Sequence, residues 1–190
     1  MTASQDLGDD LAPVVGGERR VFCCHSANLS RSHPGNSLAA VRECVEARVP
    51  RLEVDVRFLA DDSMLVFHDG SLDTETSGSG PANAIDGAAA RGLRYKGGDE
   101  PLAFLEDVVG AMEAGPTRLQ VDLKLMRPIT EGRARALVGA LEPLGGNVIV
   151  GTQAHWNLRP LGEAGLPIAF DPTLQINAYP AGREEGMTVP

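Results

Sequence analysis

Four apolar, strand-like segments of this chain each end in side chains that can hold a metal or move a proton. Val21-Phe22-Cys23-Cys24 runs into His25, and Met64-Leu65-Val66-Phe67 runs into His68-Asp69. Segment 51–57 carries Glu53 and Asp55 two residues apart, and segment 119–124 carries Asp122 and Lys124 at the same spacing. In a strand, residues i and i+2 point to the same face. Glu53 and Asp55 therefore address one volume, and Asp122 and Lys124 address one volume. If the strands are parallel neighbours, those volumes coincide. Two histidines, three carboxylates and a lysine would then meet at the strand C-terminal ends, a set suited to metal-assisted chemistry on an anionic substrate.

The elements that must position these residues follow from periodicity and turn chemistry. Strand patterns fall at 20–25, 51–58, 64–68, 118–124, 147–152 and 167–170. Helical spacing of apolar residues falls at 37–47, 84–91, 101–114, 129–141 and 156–164, with Asn36 or Ser37 available to cap the first. The Ser- and Gly-rich stretch 71–80 reads as an exposed loop. Residues 1–17 read as a loose acidic tail, residues 18–190 as one domain, and 175–190 carry no clear periodicity. Alternating strands and helices indicate parallel βαβ units, in which sites lie at the strand C-terminal ends. His25, His68 and Lys124 fall there.

The 190 residues include 17 Lys plus Arg and 26 Asp plus Glu, a net charge of −9. That surface argues against nucleic-acid or anionic-membrane partners, although a metal and a few cations can reverse the field locally. Cys23, Cys24 and Cys44 are odd in number and lack zinc-ligand spacing, so they read as reduced, buried small side chains. Neither a signal-peptide pattern nor an 18-residue apolar run is present, and the expectation is a cytoplasmic protein without a transmembrane segment.

Several ordered motifs together resemble the glycerophosphodiester phosphodiesterase family. Glu53-Val54-Asp55-Val56-Arg57 is similar to its E-x-D-V-R motif, and Leu65-Val66-Phe67-His68-Asp69 to its V-x-F-H-D motif. Leu72-Asp73, Thr76, Gly78 and Gly80 match its L-D-x-x-T-x-G-x-G loop. Pro34-Gly35-Asn36-Ser37-Leu38 resembles P-E-N-T-L, and Pro101-Leu102 with Leu105-Glu106-Asp107-Val108 resembles I-P-x-L-E-E-V-L. The resemblance covers roughly residues 21–125 and more faintly continues to about 172. It implies an α/β fold of the TIM (β/α)₈-barrel type. Such a barrel takes about 250 residues; with about six βα units this one is expected to be incomplete, so that either the chain is a truncated product, or a partner, such as a second copy of the chain, or an irregular C-terminus covers the open edge.

The resemblance also implies roles. His25 and His68 become the general acid/base pair, Glu53, Asp55 and Asp122 the ligands of a divalent cation (Mg²⁺ or Ca²⁺), and Lys124 a phosphate contact. The substrate becomes a glycerophosphodiester, cleaved to glycerol 3-phosphate and an alcohol. There are departures: His25-Ser26-Ala27 stands where the family has H-R-G, so its arginine is missing. Arg31, later in the same loop, is the candidate replacement. Gly35 replaces the glutamate of P-E-N, and Asp122-Leu123-Lys124 replaces E-x-K with a shorter acid. Two alternatives stay open: a descendant that binds phosphate or metal without turnover, and a phosphodiesterase for another head group, such as a phospholipase D-like lipid lyase. For Lys124 the competing reading is an ion pair with Asp122 or Glu53. His33 is expected to be exposed and without a role. His155 is expected to do no chemistry, and Trp156 to serve packing.

Overall fold

The computed structural model describes residues 22–112 and 115–170, together with the backbone of residues 14–15 and 18–19. The expectations for residues 1–13 and 175–190 lie outside the described residues. Strands β1 (Val14–Val15) and β2 (Glu18–Arg19) pair antiparallel, so the segment read as a tail ends in a short hairpin.

The main sheet begins with β3 (Cys23–Cys24), continues through helix α1 (Leu38–Glu46) to β4 (Arg51–Phe58), and then turns back into β5 (Met64–Val66). After helix α2 (Gly87–Arg91) come β6 (Ala103–Phe104), α3 (Leu105–Met112), β7 (Arg118–Leu123), α4 (Glu131–Leu141), β8 (Val148–Thr152), α5 (Leu158–Glu163) and β9 (Ile168–Phe170). Strands β3, β4, β7, β8 and β9 are parallel neighbours in that order. This is the progression of a (β/α)-barrel wall, and among the described residues β3 and β9 do not pair, so the barrel is not closed.

One strand runs against expectation. β5 was expected to be a parallel unit, yet it pairs antiparallel with β4, and β6 pairs antiparallel with β5. The connection 59–63 is a tight return, whereas a parallel crossover needs a dozen or more residues. β4 is long enough to serve two partners on one edge: β3 along Arg51–Leu52 and β5 along Val56–Phe58. The hairpin therefore sits above β3, at the mouth of the barrel, and carries His68 there. Residues 101–104, expected to be helical, form β6 and its approach.

Alternation on β4 and β7 divides their faces. Leu52, Val54, Val56, Leu119, Val121 and Leu123 are buried outward against Val41 and Cys44 of α1, Val108 and Met112 of α3, and Leu137 and Leu141 of α4. Full burial of such side chains contributes about 1.5–3 kcal/mol each. Caps fix the helix starts: the side chains of Ser37 and Thr130 accept from the amides of Ala40 and Arg133. A smaller core of Leu59, Leu65, Phe67, Leu72 and Phe104 lies under the hairpin. It includes part of the loop expected to be exposed: Thr76 is buried, with its hydroxyl donating to the Leu72 carbonyl at 2.8 Å.

Candidate active site

β4 and β7 run in register, Glu53 opposite Gln120 and Asp55 opposite Asp122. The Lys124 amide extends the ladder by donating to the Val56 carbonyl at 2.9 Å. The inner face thus stacks in rows: Glu53 and Gln120 deepest, Asp55 and Asp122 above them, and Arg57 and Lys124 at the mouth. A carboxylate layer lies under a cationic one.

Glu53, Asp55 and Asp122 each present an oxygen, all within 4.8 Å of one another. Glu53 is 4% exposed and Asp55 0%. Lys124 Nζ reaches Asp122 Oδ2 at 2.6 Å and Asp55 Oδ1 at 3.0 Å. The expected ion pair with Asp122 is present, with Asp55 rather than Glu53 as second partner. Burial works against the ammonium, but the Asp122 hydrogen bond and the Asp55 charge outweigh it and hold its pKa above the ordinary lysine range. Burial, reinforced by the charge of Asp55, pushes the Glu53 carboxyl up to about 7. The Ser26 amide, donating to Glu53 Oε2 at 2.7 Å, opposes that rise. Two of the three carboxylates thus share one ammonium, and Glu53 adds a third acid beside them. An all-oxygen donor set with this surplus of negative charge fits a hard divalent cation.

Asn36, considered from sequence only as a helix cap, has another task. Ser37 caps α1, and Asn36 binds Asp55 twice: its Nδ2 donates to Asp55 Oδ2 at 2.8 Å, and its Oδ1 accepts from the Asp55 amide at 2.9 Å. Asn36 takes a left-handed backbone (φ 65°), which asparagine tolerates well. Its own amide donates to the Ser26 carbonyl at 2.7 Å, tying this turn to the one carrying His25. The packing there bears on the Gly35 departure: a Cβ at Gly35 would lie 3.2 Å from the Ser26 Cβ. Ser26 (φ 51°) and Ala27 (φ 52°) are both left-handed, a strained pair where the family has arginine and glycine.

The histidines flank the carboxylates. His25 lies in the turn after β3, with Nε2 3.8 Å from Glu53 Oε2 and Nδ1 3.2 Å from the Ser26 hydroxyl. His68 Nδ1 lies 2.8 Å from Asp69 Oδ1. Both side chains are largely exposed. Arg57 is the second residue that sequence reading missed, although it continues the i, i+2 series of Glu53 and Asp55. Its Nε donates to the His68 carbonyl at 3.0 Å, and its Nη2 binds the same oxygen. Arg31 is exposed, with φ 62°, and among the described residues makes no hydrogen bond or ion pair. His33 and His155 are exposed, and His155 stacks edge-on with Trp156 at 5.0 Å. Trp156, expected to pack, is 42% exposed.

Comparison with known proteins identifies the family and the fold. Residues 28–135 match the model of the glycerophosphoryl diester phosphodiesterase family, and the chain belongs to that family. It is 30% identical over 104 residues to glycerophosphodiester phosphodiesterase 1 of Mus musculus, a match covering 50% of this chain and 31% of the mouse protein. Among solved structures it is similar to the glycerophosphoryl diester phosphodiesterase domain of an uncharacterized Mycobacterium tuberculosis protein (TM-score 0.65, 22% identity, 82% of this chain and 61% of that one). It is also similar to an Oleispira antarctica phosphodiesterase in complex with the product sn-glycerol-3-phosphate (TM-score 0.63, 20% identity, 78% of this chain and 63% of that one). The chain thus spans less than two thirds of each of these relatives. At these identities the solved structures establish the shared barrel fold.

Proposed function

We propose that the chain hydrolyses glycerophosphodiesters to glycerol 3-phosphate and an alcohol, using a divalent cation held by Glu53, Asp55 and Asp122. The observation that carries this reading is the convergence of the three carboxylates within 4.8 Å, beside Lys124 and flanked by two histidines. Mg²⁺ or Ca²⁺ would polarise a phosphoryl oxygen and lower the pKa of an attacking hydroxyl.

The chain's own groups supply the rest. The Ser26 hydroxyl engages His25 Nδ1, which leaves Nε2 facing the carboxylates to take the proton of the attacking group. Asp69 engages His68 Nδ1 in the same way, leaving its Nε2 to protonate the departing alcohol while the carboxylate stabilises the imidazolium. Lys124, at the boundary between acidic and cationic layers, faces the charge developing on the phosphoryl oxygens. Arg31 is the further phosphate contact, reaching in from the loop after His25. We assign residues 18–190 to one barrel domain and place the reaction in the cytoplasm. The three cysteines are free, and no helix among the described residues is long and apolar enough to cross a membrane.

The test is ³¹P NMR of glycerophosphocholine and glycerophosphoethanolamine incubated with the protein and Mg²⁺ or Ca²⁺. Glycerol 3-phosphate as the phosphorus product supports the assignment. A persistent cyclic phosphate would indicate a lyase, and a phosphorylated alcohol would indicate cleavage of the other ester bond.

A further inference from the structure

Three cavities follow one another along the end of β7. The first, about 150 Å³, is walled by His25, Glu53, Gln120, Asp122 and Phe170. The second, about 320 Å³, is walled by Arg57, His68, Lys124, Met126 and Gln153. The third, about 340 Å³, shares Arg57, Lys124 and Met126 with the second and adds Phe58, Arg127 and Arg133. The wall contributed by β7 and its loop thus moves outward from Asp122 to Lys124 to Arg127.

The sign of the charge changes along this path. The first cavity is acidic. Among the described residues, no carboxylate lines the second or the third. The cations of the third cavity are not equivalent. Lys124 is engaged by Asp55 and Asp122, and Arg133 by Asp62, with Nη2 at 2.6 Å. Arg57 and Arg127 have no carboxylate within ion-pair distance among the described residues. Arg57 is held instead by the His68 carbonyl, which fixes its planar fork in the wall. Two arginines without an ion-pair partner among the described residues therefore line one cavity on a protein of net charge −9. The aromatic ring of that wall, Phe58, is covered by the Arg133 guanidinium at 4.9 Å, so its face is not open to a quaternary ammonium.

We propose that the third cavity is a subsite for a second anionic group on the departing alcohol, with Arg57 and Arg127 as its recognition pair. The inference rests on the phosphodiesterase reading above. The reacting phosphate occupies the second cavity beside His68 and Lys124, and the alcohol extends outward past Arg57. Guanidinium pairs bind phosphate and carboxylate oxygens in bidentate fashion. The favoured substrates are then diesters whose alcohol carries a phosphate or carboxylate, and choline or ethanolamine diesters are poorer ones.

The test compares two diesters that differ in one group: glycerophosphoglycerol, and the same molecule with a phosphate on the terminal hydroxyl of its departing glycerol. Turnover and calorimetric binding are both measured, in wild type, Arg127→Ala and Arg127→Glu. The phosphorylated diester is expected to have a kcat/KM at least tenfold higher, carried by KM. The ratio between the two should fall at least fivefold in Arg127→Ala, fall further in Arg127→Glu, and shrink as salt is raised. Equal kcat/KM for the pair, or a ratio unaffected by Arg127→Glu, overturns the subsite. If neither diester is hydrolysed, the phosphodiesterase reading fails and binding decides the subsite separately. Tenfold tighter binding of the phosphorylated molecule, lost in Arg127→Glu, supports it; equal affinities overturn it.

Discussion

Asn36 and Asp55 hold each other through two hydrogen bonds, one to the Asp55 side chain at 2.8 Å and one from its backbone amide at 2.9 Å. Both residues are buried. The central acid of the cluster is therefore oriented by a turn that precedes α1, on a different element from its own. Replacing Asn36 by alanine leaves a buried amide and a buried carboxylate oxygen without this partner, at a backbone position that disfavours alanine. The expected loss of stability is about 2–4 kcal/mol, measured by denaturant unfolding. Asn36→Gly relieves the backbone term and should be the more stable of the two, yet bind divalent cation as weakly as Asn36→Ala in a calorimetric titration. Unchanged cation affinity in both would separate Asn36 from the metal site.

The Glu53 carboxyl sets a pH dependence. Its folded pKa is raised to about 7 by burial and by Asp55, against an ordinary value of 4.5. The folded state therefore holds a proton that the unfolded chain has already released across that window. The stabilisation is fully present below pH 4.5 and is lost as pH rises towards 7, at up to about 1.4 kcal/mol per pH unit for one proton. In chelator, unfolding free energy should fall over this range in wild type, and the fall should flatten in Glu53→Gln. Because cation and proton compete for the same carboxylate, cation affinity should rise over the same interval.

Lys124 offsets two carboxylates, and its removal exposes their repulsion. In chelator, Lys124→Met is expected to lose on the order of 2–4 kcal/mol. A divalent cation supplies the missing positive charge, so the rise in melting temperature on adding Mg²⁺ or Ca²⁺ should be larger in Lys124→Met than in wild type. A smaller rise would mean that Lys124 supports cation binding rather than standing in for the cation.

His25 and His68 are exposed and carry little packing. His25→Ala and His68→Ala should each change stability by no more than about 0.5 kcal/mol. Each should nevertheless lower kcat by about 10²-fold to 10⁴-fold, the usual contribution of one general acid or base. Loss of activity accompanied by unfolding would assign them a structural role instead.

Much of the site was legible because it depends on strand alternation. Glu53, Asp55, Asp122 and Lys124 share a face by i, i+2 spacing, and the in-register pairing of β4 with β7 brings the two pairs together. The antiparallel turn of β5 is written in the shortness of the connection 59–63, which is too brief for a parallel crossover. Asn36 was less accessible, since its partner lies 19 residues away and nothing in a Pro-Gly-Asn-Ser turn distinguishes a cap from a clamp. Trp156 shows the limit of the helix pattern: the apolar residue at a helix start lies in a turn and remains exposed, because Leu161 supplies the packing of α5.

Metal-dependent hydrolysis at this site is tested by the rate of glycerol 3-phosphate release from a glycerophosphodiester, with Mg²⁺ or Ca²⁺, with chelator, and in a folded Asp55→Asn variant. Release is expected to require the cation and to fall to background in chelator and in the variant. Release that persists in chelator and in Asp55→Asn would contradict it. Absence of release from a folded wild-type chain that binds the cation would contradict it equally, and would mark the chain as a binding protein built on this barrel.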